Sequence, residues 1–359
     1  MEIEILRNII KKGMIKMKNV IKKTVSAIAS IVLGCSMITT SQVFADNSSY
    51  MKDFEERMIA AQQADSDLLT IVDSKEKSTC MQGMATDGTY IYVAKIKTDD
   101  SNVRIIRYNT EGRYPTVLKN KDKKDYIGSG HAGDMTAVRY DGKTYLLILN
   151  KYNGYSIIEK FFIDQNNETM EKRGTYKVNK ELGGIAAEAF QNRNLSVDRY
   201  CNFYLKTGGK VYSAVLDMEA NKNNYPINLT DANVIVGDWK RVFNCRRVWN
   251  GTDIELDQKA KRLNDCKSQG IGFYGSNSCK ILYMVYSDKK GENFIIEYDL
   301  NSKDKVNRVF NAHEVTITNK KCKDRFEMES CVVIGTSTYY NTNCQKDGKN
   351  YDGIYRYHY

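Results

Sequence analysis

The chain has 359 residues, 42% hydrophobic and 27% charged, with a formal net charge of +10. That composition is globular and excludes a disordered chain. Residues 1–45 carry +5 of the charge, which leaves +5 for the other 314 residues, interleaved with acids as in KTDDSNVR and NKDKKD; this is a solvated mixed-charge surface and excludes a nucleic-acid-binding stripe, although a modest attraction to anionic partners such as cell-wall polymers fits it.

The first element is a leader. In 14-MIKMKNVIKKTVSAIASIVLGCSMITTSQVFADNSS-49, Lys16, Lys18, Lys22 and Lys23 precede a short apolar run from Val25 to Ile38, and Val43-Phe44-Ala45 suits cleavage before Asp46. Met14 or Met17 fits the start, residues 1–45 read as signal peptide, and the run is too short and too diluted by Ser and Thr for an integral membrane span. A rival reading takes Val32-Leu33-Gly34-Cys35 as a lipoprotein signal with Cys35 lipidated. Either way the expectation is an exported protein with eight mature cysteines: Cys80, Cys201, Cys245, Cys266, Cys279, Cys322, Cys331 and Cys344. An even number in an exported chain permits disulfides, and no CxxC pair suggests a zinc site.

Residues 46–79 read as a helical cap. In 50-YMKDFEERMIAAQQADSDLLTIVDS-74, Phe54, Met58 and Ala61 fall at helical spacing.

From Cys80 to the end the pattern is β: short alternating runs separated by Asp-, Gly- and Asn-rich turns. Five similar units follow one another, over 82–112, 134–166, 195–219, 269–301 and 327–359, with apolar landmarks at Met84, Met135, Leu195, Ile271 and Met328. Three or four strands per unit at that period predict an all-β, five-bladed β-propeller, six blades being the alternative because an insertion near 221–266 could be a degenerate blade or a lid. The final strand, 353-GIYRYHY-359, needs a partner to close the ring, and 68-LLTIVDS-74 can supply it if it is not helical.

The first strand of each blade faces the axis. The residues expected there are Gln82, His131 or Asp134, Glu188 or Arg193, Gln269, and Glu327 or Glu329. Converging polar groups make a concave site for a polar ligand. Two of Asp134, Glu188, Glu327 and Glu329 could act as the carboxylate pair of a glycoside hydrolase, and His131 could act as the base of a lyase. His313 is expected in a surface turn and His358 on an exposed edge. A second candidate surface is the insertion, where Trp239 and Trp249 flank Arg241, Arg246 and Arg247, a combination that suits an anionic glycan. No metal-ligand spacing, P-loop, GxSxG or dinucleotide fingerprint is present, so no metal and no cofactor is expected.

Three stretches carry a family resemblance: 327-EMESCVVIGTSTYYNTNC-344 with 354-IYRY-357, 129-SGHAGDMTAVRYDGKTYLLIL-149, and 268-SQGIGF-273. Together they resemble blade openers of the helveticin J-like proteins over roughly 80–359. The resemblance implies a propeller and a secreted, bacteriocin-like effector of Gram-positive bacteria, and it brings no catalytic residues with it. The leader and the eight mature cysteines depart from that family. The leading expectation is a secreted protein that binds an extracellular or cell-envelope glycan. The alternative is a polysaccharide hydrolase or lyase working at the axis.

Overall fold

A computed structural model of the chain describes residues 65–359 except 74–78, 129, 221–222, 238–247, 277, 289–290, 306–307, 316–323 and 359. The leader, Cys245, Cys322, Trp239, Arg241, Arg246, Arg247 and most of the expected N-terminal helix lie outside the described residues. The C-terminal part of that helix is instead a strand, β1 (Ser66–Ile71), with Leu68 and Ile71 buried. Its β-branched Thr70 and Ile71 suit a strand, and antiparallel pairing with the last strand of the chain holds it there.

Twenty-one further strands follow. Four form a first antiparallel meander: β2 (Cys80–Thr86), β3 (Tyr90–Ile96), β4 (Val103–Asn109) and β5 (Thr116–Asn120). The second comprises β6 (Asp134–Tyr140), β7 (Lys143–Tyr152), β8 (Tyr155–Asp164) and β9 (Thr169–Val178). The third takes β10 (Gly184–Ala187), β11 (Tyr200–Thr207) and β12 (Lys210–Asp217), passes through β13 (Tyr225–Ile227), and is completed by β14 (Val234–Val236), which pairs with β12. After helix α1 (Asp253–Asp265) the fourth runs through β15 (Lys267–Gly275), β16 (Lys280–Ser287), β17 (Asn293–Asp299) and β18 (Val309–Glu314). The fifth has β19 (Arg325–Ile334), β20 (Ser337–Lys346), the short β21 (Lys349–Asn350) and β22 (Gly353–Tyr357), and β1 pairs with β22 as its outer strand.

The turns follow their residue types. Asp141 (φ 50°) and Gly142 (φ 67°) form the two-residue connection between β6 and β7, and positive φ at both positions is what a type I′ hairpin requires. At the β2–β3 turn, Asp87 Oδ1 accepts from the amides of Thr89 and Tyr90, each at 2.9 Å.

The five first strands make a closed ring. β2 contacts β6, β6 contacts β10, β10 contacts β15, β15 contacts β19, and β19 returns to β2. Each seam has its own apolar cluster. Ala94, Ile105 and Ile148 belong to the first–second seam. Leu149, Phe203 and Leu205 fill the second–third seam, Tyr204, Val211 and Leu282 the third–fourth, Val285, Phe326 and Met328 the fourth–fifth, and Val93, Val332 and Ile354 the fifth–first.

Two parts of the insertion differ from expectation. Its start supplies the outer strand of the third meander. Its end is a helix that the β-dominated pattern did not predict. The signal for α1 was nonetheless present: Thr252 and Glu255 form a capping box, and Leu256 and Leu263 are its buried face. The third meander also begins earlier than expected, at Gly184, and Leu195 lies in the connection to β11.

Candidate functional site

At the centre of the ring four of the five first strands meet on one carboxylate. Asp134 is fully buried. Its Oδ2 accepts from the amides of Ile185 (2.9 Å) and Ile271 (3.0 Å), and its Oδ1 accepts from the Ser330 hydroxyl (2.7 Å). The neighbouring strands must come very close to allow this. A Cβ on Gly83 would lie 2.8 Å from the Asp134 backbone, and one on Gly270 would lie 2.7 Å from Asp134 Oδ1. Equivalent positions around the ring are therefore Gly83, Asp134, Gly184, Gly270 and Ser330. β2, β15 and β19 each carry a register shift at this level, across Gln82-Gly83, Gln269-Gly270 and Glu329, the kind of bulge that re-aims side chains near a barrel or propeller rim.

Beside Asp134 lies Lys206, also buried, which donates to the Gln269 carbonyl. Burial raises the Asp134 pKa against its hydrogen bonds from Ser330, Ile271 and Ile185, and lowers that of Lys206 against the charge of Asp134. No solvent reaches the Asp134 carboxylate, so its work is to join strands from four meanders. The expectation of an open axial Asp134 is corrected on this point.

Below this hub the strands enclose a narrow cavity with room for about 30 Å³, lined by Ala85, Ala137, Ala187, Phe273 and Val333 among others, and Gln191 in its wall donates to the Val333 carbonyl at 3.0 Å. That is space for a couple of waters, too little for a sugar ring. Because residues after the hub position line it in all five strands, the five run the same way.

The remaining expected residues divide by place. His131 does not join Asp134. Its Nδ1 lies 3.1 Å from Asp100 Oδ1, in a partly exposed pair at the β3–β4 turn. Gln82 and Gln269 flank the hub, where their carbonyls accept from Asn341 Nδ2 (2.5 Å) and Lys206 respectively. Glu188 stands four residues past Gly184, about 13 Å along the strand toward the cavity end; it binds Lys280 and the Tyr204 hydroxyl (2.8 Å) at the third–fourth seam. Arg193 is in the short 3-10 segment after β10.

Trp249 is corrected as a ligand-binding residue. It is 9% exposed, its indole N–H donates to the Ala312 carbonyl at 2.7 Å, and its ring packs against Phe294. His313 is also corrected from surface to covered: Nε2 lies 3.0 Å from Glu297 Oε1, with 14% of the side chain exposed. His358 is exposed beside Asp67.

Glu327 and Glu329 do come together. Both are on β19, before the hub and so at the end of the ring opposite Glu188. The register shift falls at Glu329, and the charge of Glu327 acts on it there. Glu327 Oε2 accepts from Arg325 Nε at 2.5 Å, and Arg325 is the exposed member, with 34% of its side chain in solvent. Glu329 is 7% exposed. Burial, with the charge of Glu327 second, pushes its pKa up to about 8, so it carries a proton at neutral pH. Asn343, opposite Glu327 in the register, approaches Glu329, and Asp352 lies close enough to add to the shift. Across the seam Lys95 Nζ lies 2.9 Å from Asp352 Oδ2, both side chains fully buried.

Sequence reasoning missed Lys206, Asp100, Arg325 and the Lys95–Asp352 pair. The one signal for the lysines was a cation in an otherwise apolar strand, as in 90-YIYVAKI-96 and 200-YCNFYLKT-207. Among the described residues, no group of three or more His, Cys, Asp or Glu side chains could hold a metal ion, and no helix is long and apolar enough to cross a membrane.

No protein-family model and no curated protein matches the chain. Among solved structures, the chain is similar to a GH43_1 enzyme from Xanthomonas citri, at 13% identity and a TM-score of 0.44, covering 84% of this chain and 92% of that one. It is also similar to a hypothetical protein from Leishmania major, at 11% identity and a TM-score of 0.42, covering 86% and 94%. A third is the catalytic domain of the Coprinopsis cinerea GH62 alpha-L-arabinofuranosidase, at 9% identity and a TM-score of 0.41, covering 83% and 98%. No residue of this site is assigned from them.

Proposed function

We propose that the chain is a five-bladed β-propeller that hydrolyses a glycan at the rim of its ring, with Glu329 as general acid and Glu327 as the ionised partner. The observation behind this reading is the Glu327–Glu329 pair: two carboxyls close together on one first strand, one protonated and one in an ion pair. Neighbouring carboxyls whose environments separate their protonation states divide naturally into acid and base. In the proposed step the Glu329 proton passes to the glycosidic oxygen as the C–O bond breaks. Water attacks the anomeric carbon and gives its proton to Glu327. Arg325 covers the pair and must swing outward to admit substrate.

Simple glycan binding is the second reading, and a different feature favours it. The β7–β8 hairpin tip presents Tyr152 and Tyr155 stacked at 5.4 Å, with Tyr152 44% exposed and Lys177 4.4 Å over the Tyr155 ring. Such a platform suits a sugar face. Export by the leader, and the helveticin J-like affiliation with its bacteriocin-like role, belong to this proposal too.

The test is release of reducing ends from purified cell-wall and plant polysaccharides. Glu329→Gln and Glu327→Gln should each lower kcat at least about 100-fold with circular dichroism unchanged. Equal turnover by both variants and wild type would discard the hydrolase and leave the binder.

A further inference from the structure

The connection into β6 is strained and tightly held. Ala132 has φ 45°, rare for a residue with a side chain, and is fully buried. Gly130 has φ 145°, and a Cβ there would lie 2.2 Å from Asn150 Oδ1. Neighbours fix this backbone on every side. The Gly130 amide donates to the Asp100 carbonyl (2.8 Å), the Gly133 amide to the Leu149 carbonyl (3.0 Å) and the Ala132 amide to Asn150 Oδ1 (2.9 Å), while the Ala132 carbonyl accepts from the Gly83 amide (3.0 Å). Strain over-determined in this way gathers at functional sites. What the connection presents is His131, with 37% of its side chain in solvent. Its Nδ1 lies 3.1 and 3.2 Å from the two oxygens of Asp100, which orients the ring and leaves Nε2 with its lone pair. A Cβ on Gly133 would lie 3.9 Å from His131 Nε2 and 3.7 Å from Lys151 Cε, so the base and the cation stand within 4 Å of one point. Lys151 is exposed and pairs with no acid among the described residues. The hairpin that carries it ends in the stacked Tyr152 and Tyr155.

We infer that His131 and Lys151 form a second site on the rim, which cleaves uronic-acid polysaccharides by β-elimination, with Asp100 as the positioning residue. The inference rests on the glycan reading above and is independent of Glu327 and Glu329. An oriented imidazole beside a free ammonium suits removal of a proton next to a carboxylate, and with the one nearby acid tied to the imidazole there is no carboxyl pair for hydrolysis. The Lys151 ammonium lies against the substrate carboxylate and stabilises the charge that builds as the proton on the adjoining ring carbon leaves. His131 Nε2 takes that proton. The bond from the next ring carbon to the glycosidic oxygen breaks and its electron pair goes to the oxygen. The electrons of the lost C–H bond become a carbon–carbon double bond, and the imidazolium returns the proton to the departing oxygen. Two chain ends result, one of them unsaturated, and no water is consumed.

The full chain incubated with polygalacturonate, alginate, hyaluronan and neutral xyloglucan tests it, read by the ultraviolet absorbance of the new double bond conjugated to the carboxylate. Absorbance should grow with at least one of the three acidic polymers and not with xyloglucan. His131→Gln should lower that rate at least about 100-fold with circular dichroism unchanged. Asp100→Asn accepts at Nδ1 less well and should lower kcat at least about tenfold with KM unchanged, the split expected of a group that acts through the imidazole. Lys151→Met keeps the stem without the charge and should cut kcat/KM several-fold. No absorbance with any acidic polymer, or a rate that ignores His131→Gln, overturns the inference. Reducing ends released without absorbance overturn it too and leave the hydrolase standing. Absorbance that accounts for every new reducing end keeps this site and removes the hydrolase.

Discussion

At the residue scale the informative feature is how differently the buried acids are held. Asp134 accepts three hydrogen bonds that oppose the effect of burial. Glu329 has less to oppose it, and its pKa rises to about 8 from the ordinary glutamate value of 4.5. The sign follows from linkage. The folded state binds a proton that the unfolded state releases above pH 4.5, so the contribution of Glu329 to stability is fully present below pH 4.5 and is lost progressively as pH rises toward 8. Glu329→Gln mimics the neutral form and removes this loss. The variant should become more stable relative to wild type as pH rises from 5 to 8, by up to a few kcal/mol, read from urea midpoints across that range. A stability difference independent of pH would show that Glu329 is ionised in the folded protein.

At the element scale the ring closes through β1, which comes from the other end of the described chain. Asp67 pairs with Arg356 in the ladder, and Arg356 Nη2 donates to Asp67 Oδ2 at 2.7 Å. Leu68 and Ile71 are buried beneath it, and the Val72 amide donates to the Asp352 carbonyl at 2.8 Å, extending the join beyond the strand. Burying two such side chains is worth roughly 1.5–3 kcal/mol each. Deleting the chain through Ile71 should therefore lower the melting temperature by several degrees and open the fourth–fifth seam first, where Leu68 and Ile71 pack. Hydrogen exchange should rise earliest in β22 and β17. Uniform loss of protection in all five meanders would contradict closure by this strand.

At the scale of the whole molecule, stability is distributed over five seams. Buried lysines reinforce three places: Lys95 at the fifth–first seam, Lys160 donating to the Met218 and Ala220 carbonyls, and Lys206 at the hub. Among the described residues, Cys80, Cys201, Cys279 and Cys331 are free thiols, which corrects the expectation of bridges for these four. They pack as small apolar residues, and burial raises the thiols of Cys201 and Cys331. Thiol labelling followed by peptide mapping should find Cys279, the half-buried one, reactive in the native protein, and Cys80, Cys201 and Cys331 only after unfolding. Native labelling of Cys331 would mean that the ring opens at its centre.

The sequence by itself determined the all-β class, the recurrence of a first strand opened by Gln-Gly or Gly-Asp, and the closing role of 68-LLTIVDS-74. These are local: alternation, turn residues and repeats leave their mark within a few positions of each other. It also picked out Glu327 and Glu329 as first-strand acids. Only the tertiary structure decided what each polar group does. Asp134 and Ser330 are 196 residues apart, as are the strands that bury them. His131 takes Asp100 and not Asp134 because a turn from the preceding meander reaches it first. Trp249 goes into the core because α1 and β18 form a pocket for it. Protonation and pairing depend on which surfaces lose water together, and that is a property of the closed ring.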